Sequence, residues 1–241
     1  MNCVLKYKLF RSKISKAYYI VSIFIPLETV ITMKEIILAS ASPRRHELLE
    51  LIGITHSVIP CTEEEGEVKN GNSKADPKNA IKTTIEESIL QVACQKAMCV
   101  AKTLPTNKRN SLVIGADTIV VLNDEIIGKP KSEDDAFVML KKLTGNVHEV
   151  YTGLCIYDFE KDRIHTAVER TLVSMIPCSD NRIAAYLASE KVQDKAGAYA
   201  IQGIGATLID RIEGCFYNVM GLPLSRFRKI LDEIGYPFLS E

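Results

Sequence analysis

Four short stretches of the chain combine residue types suited to phosphate chemistry. In Ser40-Ala41-Ser42-Pro43-Arg44-Arg45, Ser42 precedes a proline fit for a first helical turn, so Ser42 reads as an N-cap. Free N–H groups and two guanidinium groups would then share one turn, an arrangement that takes phosphate bidentately. The plainer reading is a capped surface helix with solvated arginines. In Gly115-Ala116-Asp117-Thr118 a carboxylate and a hydroxyl follow an apolar run and two small residues. Asp117 there could hold a metal or act as a base, or simply cap a turn. Gly128-Lys129-Pro130 aims or merely solvates one ammonium. The fourth stretch, residues 194–203, sets Asp194 and Lys195 before small residues and Gln202 between apolar residues and glycines. Together they offer cations and a carboxylate at element ends, the equipment for an anionic ligand with a divalent metal. Triphosphate chemistry needs both.

Other chemistries lack their signatures. No GxGxxG opens a helix after a strand, and GxxxxGK[ST], GxSxG and HExxH do not occur. Seven cysteines are scattered without CxxC spacing and the four histidines are isolated, so a zinc site has no support. Most of the cysteines are expected reduced and buried, as in a cytosolic protein.

The elements that must position these stretches alternate along the chain. Residues 34–40 read as a short buried strand and 43–53 as a helix leaving at Gly53, with 55–61 a second strand candidate. Residues 63–82 are polar and aperiodic and read as an exposed loop. Residues 84–102 have helical spacing. Residues 111–124 read as a strand pair or bent strand broken at Gly115-Ala116-Asp117. A helix with Ser132 as N-cap, two strands joined by Glu160-Lys161-Asp162, a second capped helix from Ser179, a return to strands over 199–214 and a closing helix complete the chain. Helices and strands mix throughout, which favours one α/β or α+β domain.

The 241 residues carry 30 basic and 30 acidic side chains, a net charge of zero that argues against a general nucleic-acid binder. The balance is uneven. Residues 1–32 hold Lys6, Lys8, Arg11, Lys13 and Lys16 against Glu28, a net +4, so residues 33–241 carry −4. The apolar run from Ala17 to Leu27 is too short to span a membrane, which takes about 20 residues. We read 1–32 as an N-terminal extension and 33–241 as the catalytic domain. Met33 as the natural start, a targeting or anchoring role and a folded N-terminal element are the three readings of the extension.

The ordered motifs S-x-SPRR-x-ELL at 40–49, GADT-[IV]-V at 115–120, GKP at 128–130, DKAGAYAIQG at 194–203 and NVMGLP at 218–223 resemble the Maf family of nucleotide pyrophosphatases, over about residues 34–236. The resemblance implies an α/β domain with an elongated mixed sheet, flanking helices and a deep cleft, similar to the inosine triphosphate pyrophosphatase fold. It implies hydrolysis of a nucleoside triphosphate to the monophosphate and pyrophosphate with Mg or Mn, by a cytoplasmic homodimer. Carried over by motif, Asp117 is the proton acceptor. Ser40, Arg45, Lys96, Lys129 and Lys195 lie on the phosphate side, and Asp194 belongs to the cleft. Glu65, with Glu64 as the neighbouring choice, is the metal-side acid beside Asp117. Arg44, Thr118 and Gln202 match the branch acting on dTTP and UTP. A regulatory nucleotide-binding protein of septum formation or division arrest is the alternative, and organelle targeting by residues 1–32 the alternative to a cytoplasmic location.

Overall fold

The computed structural model describes residues 4–11, 18–25, 33–62 and 77–238. It divides into two compact units, Met1–Met33 and Lys34–Glu241. In the first, β1 (Val4–Arg11) and β2 (Tyr18–Ile25) pair antiparallel, Val4 opposite Ile25 and Arg11 opposite Tyr18.

The second unit is built on a seven-stranded mixed sheet. Its path runs β4 (His56–Val58), β3 (Glu35–Leu38), β5 (Ser111–Leu122), β7 (Val147–Asp158), β8 (Arg163–Met175) and β9 (Ile209–Glu213), and β6 (Glu125–Ile127) also pairs with β5. β3 is parallel to β4 and β5, and the remaining pairings are antiparallel. Six helices flank it: α1 (Pro43–Leu51), α2 (Pro77–Thr103), α3 (Glu133–Leu143), α4 (Asp180–Ser189), α5 (Phe216–Met220) and α6 (Leu224–Ile234). The α/β class and mixed, helix-flanked sheet expected from the sequence are present. Among the described residues no helix is long and apolar enough to cross a membrane.

Strand periodicity explains how one sheet serves several layers, because successive side chains point to opposite faces. Along β5, Leu112, Ile114 and Ala116 pack with α1 and α6 residues such as Leu48, Phe227 and Leu231. Val113 packs on the other face with Ala93 and Ala97 of α2, and Ile119 and Val121 with Ile85 and Ile89. Further along, Val120 and Leu122 join a fourth cluster with Leu140 of α3 and Ile183 of α4.

Several local expectations need correction. β5 is one continuous strand rather than a pair broken at Gly115-Ala116-Asp117. The glycine serves close packing instead: a Cβ there would lie 2.1 Å from the Ala93 carbonyl oxygen of α2. The long helix starts at Pro77, inside the stretch read as loop, since proline suits a first turn and Ala80, Lys82, Glu86 and Glu87 favour helix. Residues 63–76 lie outside the described residues. Residues 199–208 are not strand, because Gly203, at φ +61°, opens a tight 3₁₀ turn over 203–208 before β9. Ser132 and Ser179 do cap α3 and α4, each accepting from a backbone N–H three residues on. Ser42 does not cap α1; its own N–H donates to Ser40 Oγ over 3.2 Å.

Cysteine pairing also differs. Cys61, just past β4, and Cys99 of α2 form a disulfide across 38 residues, which spacing alone does not reveal. Cys94, Cys155, Cys178 and Cys215 are free, with Cys155 buried.

Candidate active site

β3 pairs with β5 only through Ile114, and β6 begins pairing at Val120. Among the described residues, 115–119 of β5 therefore have one edge with no strand against it. After Leu38 the chain turns into the Ser40–Ser42 segment and α1, so the gap becomes the floor of a cleft of about 260 Å³. That is close to the smallest ligand sites, about 300 Å³. Asp117 and Thr118, although on opposite faces of the sheet, both look into this gap.

Ten of the eleven residues selected from the sequence line this one cleft: Ser40, Arg44, Arg45, Lys96, Asp117, Thr118, Lys129, Asp194, Lys195 and Gln202. The eleventh, Glu65, lies outside the described residues, as does Glu64.

Asp117 faces α2. Its Oδ1 accepts a hydrogen bond from Lys96 Nζ at 2.8 Å, and Lys96 is 8% exposed. The contact depends on how closely α2 approaches the sheet. Lys96 sits between Ala93 and Ala97, the two residues nearest Gly115, while Gly153, paired with Asp117 on β7, lies under the Ile89 carbonyl. Two glycines thus bring the helix within reach of the carboxylate.

Thr118 faces the other way. Arg45 is buried, its Nε donating to Gly221 O (2.8 Å), one terminal nitrogen to Ser40 Oγ (2.9 Å) and the other to Thr118 Oγ1 (3.1 Å). Gly221, at φ +108°, ends α5 beside this guanidinium. Arg45 therefore ties α1, β5 and the end of α5 together, and lends its charge to the cleft from behind.

Arg44 reaches the cleft mouth, its terminal nitrogen 3.5 Å from Asp194, while its Nε is buried without a partner among the described residues. Burial alone would raise the Asp194 carboxyl, but the Lys195 hydrogen bond and the Arg44 and Lys195 charges outweigh it and hold the group below the usual carboxylate range. Lys195 also pairs with Glu190 at 3.3 Å. Lys129 and Gln202 are exposed at the rim. Five cations thus meet two carboxylates in the cleft, a local positive excess within a unit of net negative charge. Cationic walls around so few carboxylates suit a polyanion undergoing hydrolysis.

Belonging to a known family follows from comparison. Residues 35–234 match the family described as Maf-like protein. The chain belongs to this family. A dTTP/UTP pyrophosphatase of Caldicellulosiruptor bescii is 43% identical over 207 residues, covering 86% of this chain and 98% of that protein. Proteins of the same name from Dictyoglomus turgidum and Acetivibrio thermocellus are each 42% identical, covering 86% and 87% of this chain and 99% and 100% of their own length.

A divalent metal fits the donors of this Maf-like cleft. Asp117 lines the cleft, and its Oδ2 has no hydrogen bond among the described residues, leaving one hard oxygen available to a cation. Mg²⁺ is commonly held by one or two carboxylates together with substrate phosphates. Among the described residues no group of three or more acidic, histidine or cysteine ligands occurs.

Residues that sequence reasoning missed stand behind the lining. Thr152 is fully buried against Thr118 and Asn218 is fully buried against Thr152, while Tyr199, which itself lines the cleft, rests on the buried His148. Asn218 lies in the NVMGLP motif, but no local pattern pointed to Thr152, whose relevance comes from its register opposite Thr118.

Proposed function

We propose that this protein is a nucleoside triphosphate pyrophosphatase acting on dTTP and UTP, residues 33–241 being the catalytic domain. The observation that carries the reading is the gathering of Arg44, Lys129 and Lys195 in one cleft with Asp117, whose carboxylate is held by Lys96. The names of the relatives supply the substrate class. We further propose a cytoplasmic homodimer that uses Mg or Mn.

Asp117 orients a water molecule against the α-phosphorus and takes one of its protons. The new bond joins water oxygen to that phosphorus, and the bond to the bridging oxygen breaks, so pyrophosphate departs with the electron pair. Lys96 fixes the Asp117 carboxylate, and Arg44, Lys129 and Lys195 neutralise charge growing on the departing group. Asp117, with Glu65 or Glu64 from the acidic run, would hold the metal, which when bound neutralises phosphate oxygens. Gln202 offers a donor and an acceptor to a pyrimidine edge, and Thr118 one hydroxyl.

Asp117→Asn keeps the shape and removes the base. Pyrophosphate release from UTP with Mg or Mn should fall by about 100-fold or more. Near-full turnover in that variant would remove Asp117 from the reaction.

A further inference from the structure

Behind the cleft a chain of hydroxyls runs from Arg45 to the end of α5. Arg45 donates to Thr118 Oγ1 at 3.1 Å, Thr118 Oγ1 lies 2.9 Å from Thr152 Oγ1, and Thr152 Oγ1 lies 3.1 Å from the backbone carbonyl oxygen of Asn218. Thr152 and Asn218 are both fully buried. The Asn218 carbonyl is held in place by the Asn218 side chain, whose Nδ2 donates to Val150 O and Thr171 Oγ1, each at 2.9 Å.

Each end of this chain has a fixed polarity. A guanidinium only donates and a carbonyl only accepts, whereas each hydroxyl between them has a single proton. Thr152 must direct its proton at the Asn218 carbonyl; otherwise two sets of lone pairs would face each other at 3.1 Å inside the protein. Thr118 must then give its own proton to Thr152. The bonds all run one way, Arg45 to Thr118 to Thr152 to Asn218, and each polarises the next.

We infer that Thr152 and the Asn218 carbonyl are specificity-positioning groups that leave Thr118 able to meet the substrate base only as a hydrogen-bond acceptor. Resting on the pyrimidine nucleotide reading above, this selects a base with a donor at its ring imide. Uracil and thymine carry N3–H, whereas N3 of cytosine is itself an acceptor and would set lone pair against lone pair. Thr118 lines the cleft, while Thr152 exerts its effect without touching substrate.

The test compares kcat/KM for UTP and CTP in the wild type, Thr152→Val and Thr152→Ser. The wild type should favour UTP. Thr152→Val frees the Thr118 proton to turn toward the cleft, and the UTP-over-CTP ratio should fall by about tenfold. Thr152→Ser restores the acceptor and should keep the wild-type ratio, which separates direction of the proton from packing. A wild type that hydrolyses UTP and CTP equally well overturns the inference alone, even if Thr152→Val does not fold. An unchanged ratio in folded Thr152→Val does the same, and hydrolysis of neither nucleotide overturns the function reading and the inference with it.

Discussion

At the scale of single residues, the cleft separates cations that hold the fold from one that is spare. Lys96 and Arg45 are buried and engaged, and Lys195 is tied to Asp194 and Glu190. Lys129 is exposed and has no hydrogen bond or ion pair among the described residues. Its place after Gly128 and before Pro130 therefore serves no visible structural end. Lys129→Ala should reduce kcat/KM for UTP by about tenfold to a hundredfold, while urea unfolding stability stays within about 0.5 kcal/mol of wild type. A stability loss of several kcal/mol with unchanged kinetics would assign Lys129 to the fold instead.

Elements set how precisely the carboxylate meets its lysine. α2 lies against β5 and β7 at Gly115 and Gly153, and an added Cβ at Gly115 would fall 2.1 Å from the Ala93 carbonyl oxygen and 2.8 Å from the Ala97 nitrogen. Those are backbone atoms, so the helix itself must move. Gly115→Ala should cost about 1–3 kcal/mol and lower kcat, because Lys96 leaves Asp117 along with the helix. Denaturant melts beside steady-state kinetics check both effects, and wild-type stability would mean that the approach is looser than described. The same glycine shows what sequence can convey. Gly115-Ala116-Asp117 was legible as a candidate for the cleft, which Asp117 does line, but not as continuous strand, since a glycine demanded by a helix overhead looks locally like a break. Ser132 and Ser179 were legible as caps because capping is a three-residue affair, whereas Ser42 had the right neighbours but its side chain makes no capping hydrogen bond to α1. The residues that line the cleft were legible by motif, but the buried hydroxyls behind them were not. Thr152 depends on cross-strand register, and the Cys61–Cys99 disulfide on a contact 38 residues apart, neither of which leaves a local pattern.

For the whole molecule, pH should act on the fold through His148. Burial pushes its imidazole down from 6.5 to about 4, beside the Tyr199 hydroxyl at 2.7 Å. Between those values the unfolded chain binds a proton that the folded chain refuses. Stability is then fully present above pH 6.5 and is lost as pH falls toward 4, by about 3 kcal/mol at most. Urea unfolding of wild type and His148→Gln at about pH 7 and about pH 4 should show a smaller acid loss in the variant; equal losses would place the acid sensitivity elsewhere. The charge distribution completes the picture: the unit from Lys34 onward is net negative, yet five cations line the cleft that holds Asp117, which favours a polyanion there. The central claim is attack of water on the α-phosphorus of a pyrimidine nucleoside triphosphate. Single-turnover hydrolysis of UTP in ¹⁸O-labelled water, followed by mass spectrometry of the products, tests it most directly. The label should appear in uridine monophosphate with unlabelled pyrophosphate; label in pyrophosphate, or release of orthophosphate and uridine diphosphate, would contradict it.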